Sequence, residues 1–155
     1  MLKDSLRPAG IVNLVLTDEF GNIKQQEETN LVVNTGLAFI TSRMLDASTP
    51  VVSHMQVGTD VTATAVSATD AVLVNPLTPR VGLSSAAVRV QTTVLNDSVQ
   101  YVASFAAGIA TGAIGEAGLF NDLTTGLMVA RTKFPVINKG ALDTLAITWK
   151  ITVAP

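Results

Sequence analysis

The feature that most constrains this chain is the period of its last segment. From Thr144 to Val153, the residues Leu145, Ile147, Trp149, Ile151 and Val153 alternate with Thr144, Ala146, Thr148, Lys150 and Thr152. A two-residue period puts one set on each face of a pleated strand, so one face meets a core and the other meets water. A single strand cannot bury its apolar face alone. The chain must therefore supply an antiparallel sheet around it. Val, Ile and Thr make up 47 of the 155 residues, and these branched side chains suit a sheet better than a helix.

Further strands follow from the same reading. Ile11 to Leu16 puts Val12, Leu14 and Leu16 on one face. After the turn residues Asp18 to Asn22 comes a short polar return strand, Ile23 to Glu28, and then Asn30 to Val33. Val51 to Val57 contains the lone His54. Val88, Val90, Thr92 and Val94 alternate with polar residues, turn at Asn96-Asp97-Ser98, and return through Val99, Tyr101, Ala103 and Phe105 as a hairpin. Glu116 to Phe120 and Met128 to Phe134 read as two more strands, with Pro135 ending the second. One helix is expected, Thr35 to Asp46, capped by Asn34 or Thr35 and burying Leu37, Ile40 and Met44 at i, i+3, i+7. Gly58 to Arg80, rich in Thr, Ala and Ser, reads as a long loop with at most one helical turn over Ser67 to Leu73. The expected fold is all-β: a two-layer antiparallel β-sandwich, jelly-roll-like, with one short helix. An N-terminal arm, residues 1–9, precedes a single domain, residues 10–155.

Composition excludes several chemistries. The chain has no cysteine, which removes thiol nucleophiles, disulfides and thiolate metal sites; a single histidine removes any multi-histidine site. A net charge of −2 gives no electrostatic case for nucleic acid or an anionic membrane. No apolar run reaches the ~18–20 residues that a spanning helix needs, and the first residues lack the apolar region of a signal peptide. Charged residues are only 14%, a composition that suits a protein with much of its surface against neighbours.

The candidate catalytic residues each have a plainer reading. His54 beside Ser53 lacks a nucleophile elbow and reads as a histidine at a strand surface or subunit contact. Glu116, flanked by Gly115 and Ala117, could serve as an acid with a raised pKa. It reads instead as an acceptor of loop amides or the partner of an arginine such as Arg131. Gly112, Gly115 and Gly118 do not form the dinucleotide fingerprint, and read as positions of backbone freedom or close approach. The aromatics Tyr101, Phe105, Phe120, Phe134 and Trp149 fall at core periodicity. No catalytic, cofactor-binding or metal-ligating residue is assigned.

Several segments in one order resemble small virion proteins of tailed bacteriophages. These are Leu31-Val32-Val33-Asn34-Thr35-Gly36, then Met55-Gln56-Val57-Gly58-Thr59 with Ser67-Ala68-Thr69-Asp70-Ala71-Val72-Leu73, then Gly115-Glu116-Ala117-Gly118-Leu119-Phe120-Asn121. Gly126 to Arg131, Phe134, Lys139 and Asp143 to Trp149 complete the series. The resemblance covers nearly all of the chain after Gly10. It implies a non-enzymatic structural protein without a cofactor. A self-contained length favours a decoration, or cement, protein on the capsid surface; a tail, baseplate or tail-fibre component is the alternative. The implied partners are the major capsid protein and further copies of the chain, as a trimer. Within the arm, Leu2 and Leu6 would supply apolar contact to a partner, and Lys3 and Arg7 would meet an acidic surface.

Overall fold

A computed structural model describes residues 7–77 and 79–154. Nine strands and one helix follow in the order β1 (Arg7–Thr17), β2 (Ile23–Val32), α1 (Asn34–Leu45), β3 (His54–Gly58), β4 (Val81–Gly82), β5 (Val88–Val90), β6 (Ser98–Phe105), β7 (Gly112–Phe120), β8 (Met128–Lys139) and β9 (Thr144–Ala154). All pairings are antiparallel. The strands form one curled sheet in the order β4-β3-β7-β8-β2-β1-β9-β6-β5. β2 is the hinge of that order: Ile23 to Asn30 pair with β1, and only Leu31 and Val32 pair with β8.

The core follows the alternation read from the sequence. Val12, Leu14 and Leu16 of β1 and Leu145, Ile147, Trp149 and Ile151 of β9 all face inward and are buried. The register places Val12 opposite Trp149 and Trp149 opposite Tyr101. Met55 and Val57 of β3 and Ala117 and Leu119 of β7 complete the apolar interior from the other wing of the sheet.

Local departures from the expected elements have physical causes. β1 begins at Arg7 rather than Ile11, because residues 7–9 pair with Thr152, Val153 and Ala154. The arm assigned to residues 1–9 therefore gives up its last three to the sheet. The two short strands expected between Ile23 and Val33 are one strand, β2. β8 runs through Pro135. The β7–β8 ladder breaks between Glu116 and Ile114, and Pro135 sits in that irregularity, where its missing N–H costs little. The strand expected from Val88 to Val94 is cut to Val88–Val90, because Asp97 gathers the amides of Thr92, Thr93 and Val94 into a loop. Ser67 to Asp70 form a turn, not a helical turn, with the Asp70 amide donating to the Ser67 carbonyl.

The helix lies where expected but turns a different face inward. Gly36 and Phe39 are buried, whereas Leu37, Met44 and Leu45 are exposed, Met44 at 80% and Leu45 at 83%. Ile40 packs against the core from a half-buried position. Gly36 decides the orientation. A Cβ there would collide with the Val129 carbonyl oxygen, so the helix backbone rests directly on β8. No side chain caps the helix; the Thr35 hydroxyl donates to the Met128 carbonyl at 2.6 Å and the Asn34 amide to the Ala68 carbonyl.

Two truncations test this orientation by chemical denaturation. Phe39→Ala and Trp149→Ala should each cost about 3–5 kcal/mol, as expected for emptying a core site, while Met44→Ala should change stability by less than about 0.5 kcal/mol. Equal losses at Phe39 and Met44 would mean that the helix buries the other face.

Candidate functional site

Two places in the fold concentrate chemistry. The first lies under the loop after β3. Residues 59–77 cross the face of β7 and β8 that points away from the main core. The neck of this strap is closed by backbone bonds: the Thr59 amide donates to the Asn75 carbonyl and the Leu77 amide to the Val57 carbonyl. Its body is held by ions. Arg131, opposite Gly118 in the β7–β8 register, is buried. Its Nη2 lies 2.7 Å from Glu116 Oε2 and 2.8 Å from Asp60 Oδ2, and its Nη1 lies 2.6 Å from Asp70 Oδ2. Lys133, opposite Glu116, reaches Asp60 at 2.9 Å and donates to the carbonyls of Thr62 and Thr64. Glu116 also accepts the strap amides of Val74 and Asn75.

Both plain expectations for Glu116 therefore hold together: it accepts loop amides and it pairs with Arg131. The long loop is anchored by its own chain through Arg131 and Lys133. The glycines act as expected too. A Cβ on Gly115 would stand 2.7 Å from the Asp60 carbonyl oxygen, so the strap lies on the sheet only because that side chain is missing. Beneath the strap a small second cluster joins Leu73 to Val33, Phe120 and Met128. Arg80 closes the far side, its guanidinium 3.8 Å from the Phe120 ring centre.

Electrostatics agree with a structural role. The Thr62 hydroxyl, and after it the Lys133 ammonium, hold the Asp60 carboxyl far below the usual carboxylate range. The Arg131 guanidinium is held above its usual value; burial opposes this, but Asp70 and Glu116 outweigh it. Elsewhere, the amides of Thr124 and Thr125 bring Asp122 down to about 2. Burial pushes Asp97 up, but the Val94 amide and the Thr92 hydroxyl and amide overcome it and hold the carboxyl low. Asp97 and Asp122 are committed to their own loops, and Asp60 ties its loop to the cations of β8.

The second place is an apolar groove of about 1100 Å³ at the end of the sheet where β1 starts. Phe39, Ile40 and Met44 of α1 form one wall, and Val99, Tyr101, Ile151 and Val153 of β6 and β9 form the other. Burial raises the Tyr101 phenol to about 12. Ser53 and His54 also border the groove, with Ser53 Oγ 2.8 Å from His54 Nδ1. Among the described residues no carboxylate hydrogen-bonds to His54, so the pair lacks the third group that orients a catalytic base.

Of the residues expected to contact a partner, Leu2, Lys3 and Leu6 lie outside the described residues. Arg7 is placed only as the first backbone position of β1, opposite Ala154. Sequence reasoning missed the roles of Asp60, Asp70 and Lys133. A signal existed: Arg131 and Lys133 share one face of a strand whose other face carries Ala130 and Thr132, and two cations side by side on an otherwise apolar strand call for carboxylates if that face is covered. No protein family, curated protein or solved structure matches the chain.

Arg131→Ala should destabilise the protein by about 3–5 kcal/mol, because it leaves carboxylates buried without their cation. Arg131→Met, which keeps the volume, should still release the strap. Hydrogen exchange would then rise over residues 60–74 and stay slow in β9. Asp60 has a folded pKa below its unfolded one, so its stabilisation is complete above the ordinary carboxylate pKa and is lost as pH falls below about 4. Acid titration followed by exchange should show the strap opening before β9 does; simultaneous loss would refute the ionic anchoring.

Proposed function

We propose that the chain is a non-enzymatic structural protein of a tailed-bacteriophage virion, a capsid decoration protein that binds the assembled head and stabilises it. The observation that carries this reading is the surface. Few charges cover it, and Met44, Leu45, Val51, Val94 and Leu95 stand exposed near an apolar groove. Exposed apolar surface bordering such a groove favours burial against a partner. The polar clusters support the same reading, because their donors and acceptors are spent on holding loops. The order of sequence segments shared with small phage virion proteins supplies the identity of the assembly.

In this reading the two wings of the sheet, meeting at β2, are the facing layers of a jelly-roll-like sandwich. Three copies meet about a local threefold axis on the major capsid protein. Leu2 and Leu6 supply apolar contact, and Lys3 and Arg7 meet acidic surface. The work is mechanical: a protein that binds only the assembled state shifts the equilibrium toward it by mass action, so that internal pressure must break its contacts as well.

The test is co-sedimentation with purified heads and, separately, purified tails. The full chain should sediment with heads. Deletion of residues 1–6, which keeps Arg7–Thr17 whole, should leave the fold intact and weaken head binding at least about tenfold, equivalent to about 1.4 kcal/mol. Heads so decorated should release DNA at a lower temperature. Binding to tails alone would replace this reading with a tail or baseplate role, and unchanged head binding by the truncated chain would remove the arm from the contact.

A further inference from the structure

We infer that the hairpin tip between β1 and β2 of one copy docks in the apolar groove of a second copy of this chain, with Phe20 seated against the groove walls and Glu19 paired with Arg43. The tip is fixed by its own bonds. Asp18 Oδ1 accepts the backbone amides of Phe20 and Asn22, Oδ2 accepts the Asn22 side-chain amide, and the Asp18 carbonyl accepts the Gly21 amide. Gly21 takes the left-handed φ of +84° that the turn requires. The loop is thus set before any partner arrives, which lowers the ordering cost of a contact. What it holds out is apolar. Among the described residues Phe20 is the one aromatic ring left exposed, at 81%, and Ile23 is exposed close by. Phe20 belongs to neither apolar cluster of the fold, so packing within one copy does not account for it.

The groove complements the tip in shape and in charge. Phe39, Ile40, Val99 and Ile151 offer the apolar walls that a ring needs. Arg43 borders the same groove. Its Nη1 donates to the carbonyls of Ala47 and Thr49, while its Nε and Nη2 have no hydrogen-bond partner among the described residues. Glu19 is exposed and has no ion pair or hydrogen bond among the described residues either. The remaining carboxylates at the two places are spent locally: Asp18 holds the tip, and Asp97 accepts the amides of Thr92, Thr93 and Val94. A free carboxylate on the tip therefore finds a free guanidinium edge in the groove. Placement decides whose tip it is. Ile151 and Val153 of the groove pair with Gly10 and Pro8 near the start of β1, whereas the tip follows Thr17 at its end. Pro8 to Thr17 span roughly 30 Å along a strand, so a tip cannot reach its own groove. Each copy offers one tip and one groove at opposite ends of the sheet, a head-to-tail contact that joins copies into a ring or an open row.

This inference stands without the virion reading, and its test uses the chain alone. Sedimentation velocity should show the full chain forming dimers and larger species as its concentration rises toward millimolar. Phe20→Asp at the tip and Met44→Asp at the groove rim both change exposed side chains, so each should keep the circular dichroism of the parent chain. Each should weaken self-association at least about tenfold. Glu19→Lys should weaken it as well, and added salt should narrow that difference. The decisive sample is an equimolar mixture of Phe20→Asp and Met44→Asp. The first keeps a sound groove and the second a sound tip, so the mixture should form a one-to-one pair and stop there. A full chain that stays monomeric would overturn the proposal and leave the groove to a different occupant. Association that survives Phe20→Asp, association indifferent to Glu19→Lys, or a mixture that fails to pair would overturn it as well.

Discussion

A buried guanidinium sets the terms for half of this fold. Arg131 cannot give up its proton inside a protein, so its charge must be met where it sits. Three carboxylates meet it, and two of them, Asp60 and Asp70, come from the strap. Closing those pairs draws residues 59–77 across β7 and β8, which in turn covers Phe120 and Met128. The same requirement explains the composition of β7. A strap this close leaves little room for side chains, so Gly115 and Gly118 stand where it passes, and the large residues beneath it are Glu116, the third carboxylate, and Phe120, which packs under Leu73. Replacing such an ion cluster by apolar residues often leaves stability unchanged or higher. What the cluster supplies is a single register for a loop whose Thr, Ala and Ser residues could not choose one by packing.

Wherever an element's structure depended on its own period, the sequence was readable. β1 and β9 show it: their inward sets were legible because each strand has one wet face and one dry face, and the alternation records that directly. Glu116 and Arg131 were also legible as a pair, since an isolated carboxylate among glycines must find donors. The helix face was not legible. Leu37, Ile40 and Met44 make a better apolar stripe than Gly36, Phe39 and Ile40, but a glycine adds nothing to a hydrophobic period. Its effect is to let the backbone touch Val129, a fact of shape that periodicity cannot carry. Pro135 misled for a similar reason. A proline forbids a ladder bond, and only the pairing shows that no bond is required at that point. The strap's anchors were invisible because Asp60, Asp70 and Lys133 are far from one another along the chain and follow no spacing rule.

The choice of helix face has a consequence at the groove as well. With Gly36 pressed on β8, α1 presents Phe39 and Ile40 to the space beside β6 and β9 and leaves Met44 at the rim, so a wedge stays open between helix and sheet. The two places thus differ in kind. Under the strap, charge is paired and the apolar cluster is covered. At the groove, the walls of Phe39, Ile40, Val99 and Ile151 leave apolar surface facing open space.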